Sequence, residues 1–155
     1  MTITPHFLAG AAISTATNSY PVAFLLGFLS HFVLDALPHL DPGTFFNVPG
    51  NEKKPWPTWI YAFAILEFFT AIIIFFFIFR NRPDFAIISV GGLGGIMTDI
   101  LDNSPLRFLR KLPGFKQLHW FHELIHYDLA PQKWYWGLPT QIILIGGSIW
   151  YLLRF

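Results

Sequence analysis

The sequence predicts an all-α integral membrane protein, a helical bundle of four to five transmembrane helices with one amphipathic helix lying at the membrane interface. Three observations carry that expectation. Charged residues make up 12% of the 155-residue chain while hydrophobic residues reach 54%, about half the charged fraction of a typical soluble domain. Eighteen phenylalanines are concentrated in long uncharged runs, the signature of segments that meet hydrocarbon rather than water. Metal-ligating residue types gather instead in a few short stretches, above all "SHFVLDALPHLD" and "LHWFHELIH". The length allows one domain, residues 1–155.

Taken in order, Pro5 to Thr17 and Pro21 to Leu37 are apolar, with "TNSYP" between them as a turn signal. They predict a tight hairpin of two short helices, the first of which could enter the membrane and return. "DPGTFFNVPGNEKKPWP" reads as a loop. Trp59 to Phe79 is the clearest span, long enough for a hydrocarbon core of roughly 30 Å. Pro55-Trp56-Pro57 and Arg80-Asn81-Arg82-Pro83 flank it as interface anchors. Phe85 to Leu101 is a shorter span whose glycines let helix backbones approach closely. Most of Asn103 to Pro113 reads as loop. Gly114 to about Asp128 predicts the interfacial amphipathic helix, ended by Pro131. Trp136 to Leu153 is the last span, opened by aromatics and closed near Arg154. No basic n-region with a small-residue cleavage site opens the chain, so no removable signal peptide is expected.

Composition also removes function classes. With no cysteine, disulfides, zinc–thiolate sites and thiol catalysis drop out. A net charge of +1 gives no basic footprint for nucleic acid. With five crossings, Lys53, Lys54, Arg107, Arg110, Lys111, Lys116 and Lys133 fall on one side and Arg80, Arg82 and Arg154 on the other. The positive-inside rule then makes the first side cytoplasmic, in a bacterial or archaeal cytoplasmic membrane.

That same side collects the candidate ligands. His6 is near the start, His39 and Asp41 follow the second helix, and Asp99 and Asp102 close the fourth. His119, His122, Glu123 and His126 belong to the interfacial helix, within roughly a 100° arc. His31 and Asp35 lie one to two turns deeper and share a helix face. An aspartate at membrane depth costs about 2.5–3.5 kcal/mol on the insertion scale and needs a partner. A divalent cation would satisfy several carboxylates and imidazoles together. The expected ligands are His31, Asp35, His39, Asp99, His119, His122 and His126, with His6 a possible addition. Nitrogen and oxygen donors without sulfur suit zinc, with iron or manganese as alternatives. The number of donors allows one or two ions, and two close ions are a common hydrolytic device. Glu123 is the candidate general base, and Asp102 a second catalytic candidate.

Each group also has a plainer reading. A lone histidine on an apolar helix is usually structural, Asp41 and Asp102 could cap or meet headgroups, and "PHLDPG" could be a turn. Glu67 reads as an interhelical hydrogen-bonding group. Gly91, Gly92, Gly94 and Gly95 read as packing, since no Lys-Ser/Thr follows to make a phosphate loop.

"HFLAGAAI", "GFLSHFVLDALPHLD", "GGIMTDILD" and "LHWFHELIH" together resemble the small membrane-bound metal-dependent hydrolases typified by the LexA-regulated bacterial inner-membrane family. That resemblance implies a membrane-embedded hydrolase with Asp99 and Asp102 among its acidic ligands. A more distant similarity is to zinc-dependent phospholipase C, whose His-x3-Asp and His-x3-Glu pairs match His31/Asp35 and His119/Glu123. It implies metal-assisted hydrolysis of a phosphoester, with membrane lipid as a convenient substrate. Two alternatives stand beside it. "HELIH", His122 to His126, matches the H-E-x-x-H pattern of metalloproteases, although no His, Asp or Glu follows Asp128. The third is a non-enzymatic metal-binding transport or interaction protein.

Overall fold

The computed structural model describes residues 1–41, 44, 57–102, 108–127 and 133–155. Lys53, Lys54, Arg107, Asp128 and Pro131, and the side chain of Arg110, lie outside the described residues. Within them the chain is all-helical: α1 (Ile3–Ser14), α2 (Tyr20–Asp35), α3 (Thr58–Phe79), α4 (Phe85–Asp102), a 3-10 turn (Leu109–Lys111), α5 (Phe115–Ile125) and α6 (Trp134–Arg154).

α4 is the centre of the bundle, gripped by α1 on one side and α2 on the other. Its glycines make this possible. A Cβ on Gly95 would meet the His6 carbonyl at 2.3 Å, and one on Gly94 the Phe24 carbonyl at 2.3 Å. Gly10 of α1 and Gly27 of α2 both face the Gly91 carbonyl, where a Cβ would come within 2.5 and 2.0 Å. Backbones at this separation gain dispersion contact that larger side chains would forbid. Phe7, Leu8, Ala11, Phe75, Phe79, Ile88, Ile96 and Leu152 form the apolar core beside this contact.

α3, α4 and α6 are long and apolar enough to cross a membrane. α1, with 12 residues, rises about 18 Å and α2, with 16, about 24 Å; both fall short of the roughly 30 Å core. Among the described residues, three helices therefore meet the length and composition needed to cross a membrane. α3 points most of its side chains outward, with Leu66 67% and Phe77 65% exposed. Arg82 pairs with Asp84 at 2.7 Å in the α3–α4 turn and also donates to the Leu152 carbonyl, tying α6 to that end.

Glu67 explains how α1 begins. Its carboxylate accepts from the backbone N–H of Thr4 at 3.1 Å and of Ile3 at 3.4 Å. The first turn of any helix has N–H groups without intrahelical partners, and Glu67 supplies acceptors from a neighbouring helix. Glu67 lies nine residues into α3, so α1 starts about 14 Å below the level where α3 begins.

Several boundaries differ from the sequence expectation. α2 stops at Asp35 rather than Leu37, because Pro38 disfavours helical geometry in the residue before it. α5 stops at Ile125, and His126 is extended at φ −58°, ψ 126°. There the chain turns so that the Tyr127 N–H donates to the Asp35 carbonyl at 2.8 Å, closing the end of α2. The expected arc of His119, His122, Glu123 and His126 on one helical face is therefore broken at His126. α5 starts from Gly114 at φ +81°, a left-handed conformation that glycine adopts without steric cost.

Candidate metal centre

Asp35, the last residue of α2, is the hub. Its Oδ2 lies 2.9 Å from His31 Nε2 and 3.0 Å from His122 Nε2. Its Oδ1 lies 3.0 Å from His6 Nε2, 3.7 Å from His39 Nε2 and 2.8 Å from the Met1 amino group. His6, His31, Asp35 and His39 are fully buried. The helix spacing expected for His31 and Asp35 does bring their side chains together. α1 contributes His6, the segment after α2 contributes His39, and α5 closes over them with His122.

The far nitrogens of three of these rings are held by oxygen acceptors. His31 Nδ1 donates to the Gly95 carbonyl at 2.8 Å, and His39 Nδ1 to the Leu37 carbonyl at 2.7 Å. His122 Nδ1 donates to Asp102 Oδ2 at 2.8 Å. A carbonyl or carboxylate oxygen only accepts, so each Nδ1 carries the proton. Each ring then turns its Nε2 toward Asp35, where a neutral ring offers a lone pair and a protonated ring an N–H. The nitrogens also face one another: His31 Nε2 and His122 Nε2 are 3.4 Å apart, and His39 Nε2 and His126 Nε2 3.2 Å apart. Lone pairs converging on a carboxylate repel unless a proton or a cation lies among them. Hydrogen bonding of the outer ring nitrogen is also how metal-ligating histidines are oriented.

Spacing supports the cation. Ligands about 2.0 Å from one tetrahedral ion stand about 3.3 Å apart, close to the distances between these atoms. His31, Asp35 and His122 form one group whose ligand atoms lie within 4.8 Å of one another, and Asp35, His39 and His126 form another. His6, His31 and Asp99 make a third such group. His6 Nδ1 and the Thr98 hydroxyl are buried without a hydrogen-bond partner, which marks a pocket whose polar atoms are not satisfied by the protein alone. These buried His and Asp groups could hold a metal ion.

Charge at the edge follows the same logic. Burial opposes protonation of His122, and the carboxylates of Asp102 and Asp35 outweigh it, taking its pKa up to about 10. Burial pushes His39 down to about 3 and keeps its ring neutral. On its own the cluster balances Asp35 with the Met1 amino group and a proton on His122; a metal ion would displace the His122 proton.

Of the sequence candidates, His6, His31, Asp35, His39, His122 and His126 converge, and Asp99 lines the same pocket. Asp102 joins them from outside, accepting from both His122 and His119 at 2.8 and 2.7 Å. His119 is about half exposed, at 52%. It groups with Asp102 and exposed Glu123 at the rim. Asp41, considered beside His39 in the sequence, stands 3.9 Å from His126 Nε2 and has a buried, unpartnered Oδ1. The backbone acceptors at Gly95 and Leu37 carry no side-chain signal that the sequence could reveal. α6 fixes His39 from outside: Gly137 packs on the His39–Leu40 backbone, where a Cβ would come within 2.5 Å, and Gln141 donates to the Leu40 carbonyl.

No protein-family model, curated protein or solved structure matches the chain.

Proposed function

We propose that this protein is a membrane-embedded, metal-dependent hydrolase acting on a phosphoester, with lipid as the substrate class. One observation carries the reading. His31, His39 and His122 each have Nδ1 tied to an oxygen acceptor and Nε2 aimed at Asp35. A neutral ring held in this way turns an acceptor toward the carboxylate, and a cation shared among them would satisfy both, beside the Met1 amino group and the His122 N–H that donate to Asp35. The two oxygens of Asp35 face different histidines, which suits either one ion or two ions bridged by the carboxylate. The similarity of the polar motifs to membrane-bound metal-dependent hydrolases points the same way.

A bound divalent ion supplies a Lewis acid and lowers the pKa of water toward neutrality. Zinc fits nitrogen and oxygen donors at these separations. The residues of this chain orient and shield it. Asp102 holds His122 in register, Gly95 and Leu37 hold the rings of His31 and His39, and α5 roofs the site. Glu123, at the rim with His119, is placed to exchange protons with water rather than to ligate the buried group. The apolar faces of α3, α4 and α6 favour a bilayer, and the basic residues near α5 favour a cytoplasmic site by the positive-inside rule.

A protease reading needs His122 and His126 on one continuous helical face. The helix ends at Ile125 and His126 leaves that face, although the two rings stay 5.5 Å apart and both group with Asp35. The test is elemental analysis of detergent-purified protein, followed by release of product from phospholipid vesicles and from a membrane peptide. Bound zinc, iron or manganese with phosphoester turnover supports the proposal, and Glu123→Gln should then keep the metal and lose turnover. Protein that takes up no metal on titration sinks it. Metal without hydrolysis, but with metal movement into liposomes, would make it a carrier.

A further inference from the structure

α3 carries a second feature that the metal site does not use. A groove of about 380 Å³ runs between α1, α3 and α6. Its floor is one continuous face of α3 from Phe63 to Ile78, about 22 Å long at 1.5 Å per residue. Thr70 and Ala71 open the floor at mid-length, Leu8 of α1 forms one wall, and Ile149 of α6 forms the other. We propose that this groove holds one acyl chain of a membrane lipid and presents that lipid's headgroup to the metal site; the second clause rests on the hydrolase reading.

The following observations select an acyl chain over a helix. Transmembrane helices pack through small residues repeated every fourth position. Thr70 is flanked at that spacing by Leu66 and Ile74, and Ala71 by Glu67 and Phe75, so the groove face has no such repeat. Apart from Thr4, Glu67 and Thr70, the lining is aliphatic and aromatic, and at about 22 Å the groove is long enough to take the roughly 15 Å of one leaflet's hydrocarbon. Its volume lies within the usual 300–1,000 Å³ of ligand pockets. Its position matters most. Thr4 lines the groove and is held by Glu67 at 3.1 Å, while His6, two residues on, faces Asp35 at 3.0 Å. Two residues, about half a turn of α1, therefore separate a groove-lining position from one in the imidazole cluster.

The experiment uses full-length protein in phosphatidylglycerol vesicles carrying a photoactivatable diazirine in one acyl chain, with labelled residues mapped by mass spectrometry. Bulk lipid reaches the outer face of α3 at Ile65, Phe69 and Phe77, which are 55–65% exposed. Leu8 and Phe75 are only 6% and 3% exposed, and a chain seated in the groove should label them. Ala71→Phe fills the groove from the floor and Ile149→Trp from the opposite wall. Each should reduce labelling of Leu8 and Phe75 several-fold while leaving the outer face unchanged. Absence of that labelling in the wild type, or its persistence in both variants, would overturn the proposal, as would photo-crosslinked dimers joined through the groove. Turnover on a water-soluble phosphoester is measured separately. Groove labelling without any turnover would leave the groove standing and remove the headgroup clause with the hydrolase.

Discussion

Gly27→Ala tests the link between packing and the site. Gly27 and His31 are one turn apart on α2, and both face the Gly91–Gly95 stretch of α4. A Cβ at position 27 would lie 2.0 Å from the Gly91 carbonyl oxygen, 2.9 Å from its carbon and 3.0 Å from the Gly95 nitrogen. These are backbone atoms, so no side-chain rotation relieves the clash. Real Cβ contacts stay above 3.0 Å, and α2 must move from α4 by at least about 1 Å. The His31 Nδ1 to Gly95 hydrogen bond is 2.8 Å long, and the same displacement would stretch it to about 3.8 Å, beyond hydrogen-bonding range. Overpacking of this kind costs about 1–3 kcal/mol, against which alanine recovers about 0.8–1 kcal/mol of helix propensity.

The expected outcome is a lower unfolding midpoint in detergent together with a metal content below that of the wild type, because His31 loses the bond that orients it. Gly146→Ala is the control. Nothing lies within 4 Å of a Cβ there, so it should keep its metal and be as stable or slightly more stable. Wild-type midpoint and metal content in Gly27→Ala would refute the argument that helix contact positions the ligands.

Asp35→Asn removes the carboxylate shared by both ligand groups and should abolish metal binding, whereas His126→Gln touches one group; equal metal content in the two variants, by elemental analysis, would show that Asp35 is not the hub. Protonation gives a pH prediction. The folded pKa of His122 is raised to about 10, above the ordinary value of about 6.5. In metal-depleted protein its stabilising contribution is therefore full below about pH 6.5 and is lost as pH rises through about 10. Metal binding must displace that proton, so titration calorimetry at pH 7 in buffers of different ionisation enthalpy should show about one proton released per ion bound near His122; zero release would contradict the assignment. Glu67→Leu strands the N–H groups of Ile3 and Thr4 in an apolar setting, at about 1–3 kcal/mol for an unsatisfied group. It should lower the unfolding midpoint, with Glu67→Gln recovering part of the loss through its carbonyl oxygen; Glu67→Leu equal to the wild type would show that the two hydrogen bonds do not support α1.

Much of this was legible in the residues. Apolar run length placed α3 and α4 to within a residue at each end, because hydrophobic length is a strong, local signal. The i, i+4 spacing put His31 and Asp35 on one face, and the glycines of α4 read as packing. What the sequence could not show lies in contacts between distant segments. His126 looked like the fourth member of a helical face until the Tyr127 N–H was found closing α2 on Asp35. Nothing local marks Gly95 and Leu37 as the carbonyls that orient His31 and His39, since every residue has a carbonyl. Glu67 advertised itself as a carboxylate in an apolar run, but its partners, two backbone N–H groups more than sixty positions away, have no sequence signature at all.

These distant contacts also explain why the ligands come from short helices. A helix that crosses the whole membrane presents its ends to water, where polar groups are satisfied without help. α1 begins about 14 Å below the start of α3, and its N-terminal turn needs the carboxylate of Glu67. That depth brings His6 level with Asp35 at the end of α2, under the roof of α5. Had α1 extended the full width of the bilayer, its start would rise past Asp35 and the imidazole of His6 would lose its partner. The glycines of α4 complete the arrangement, since only backbones in contact let α1 and α2 aim His6 and His31 into one space, their rings stacked 4.1 Å apart. The shortness of the first two helices, which weakens them as membrane spans, is what allows polar side chains to meet inside an apolar bundle.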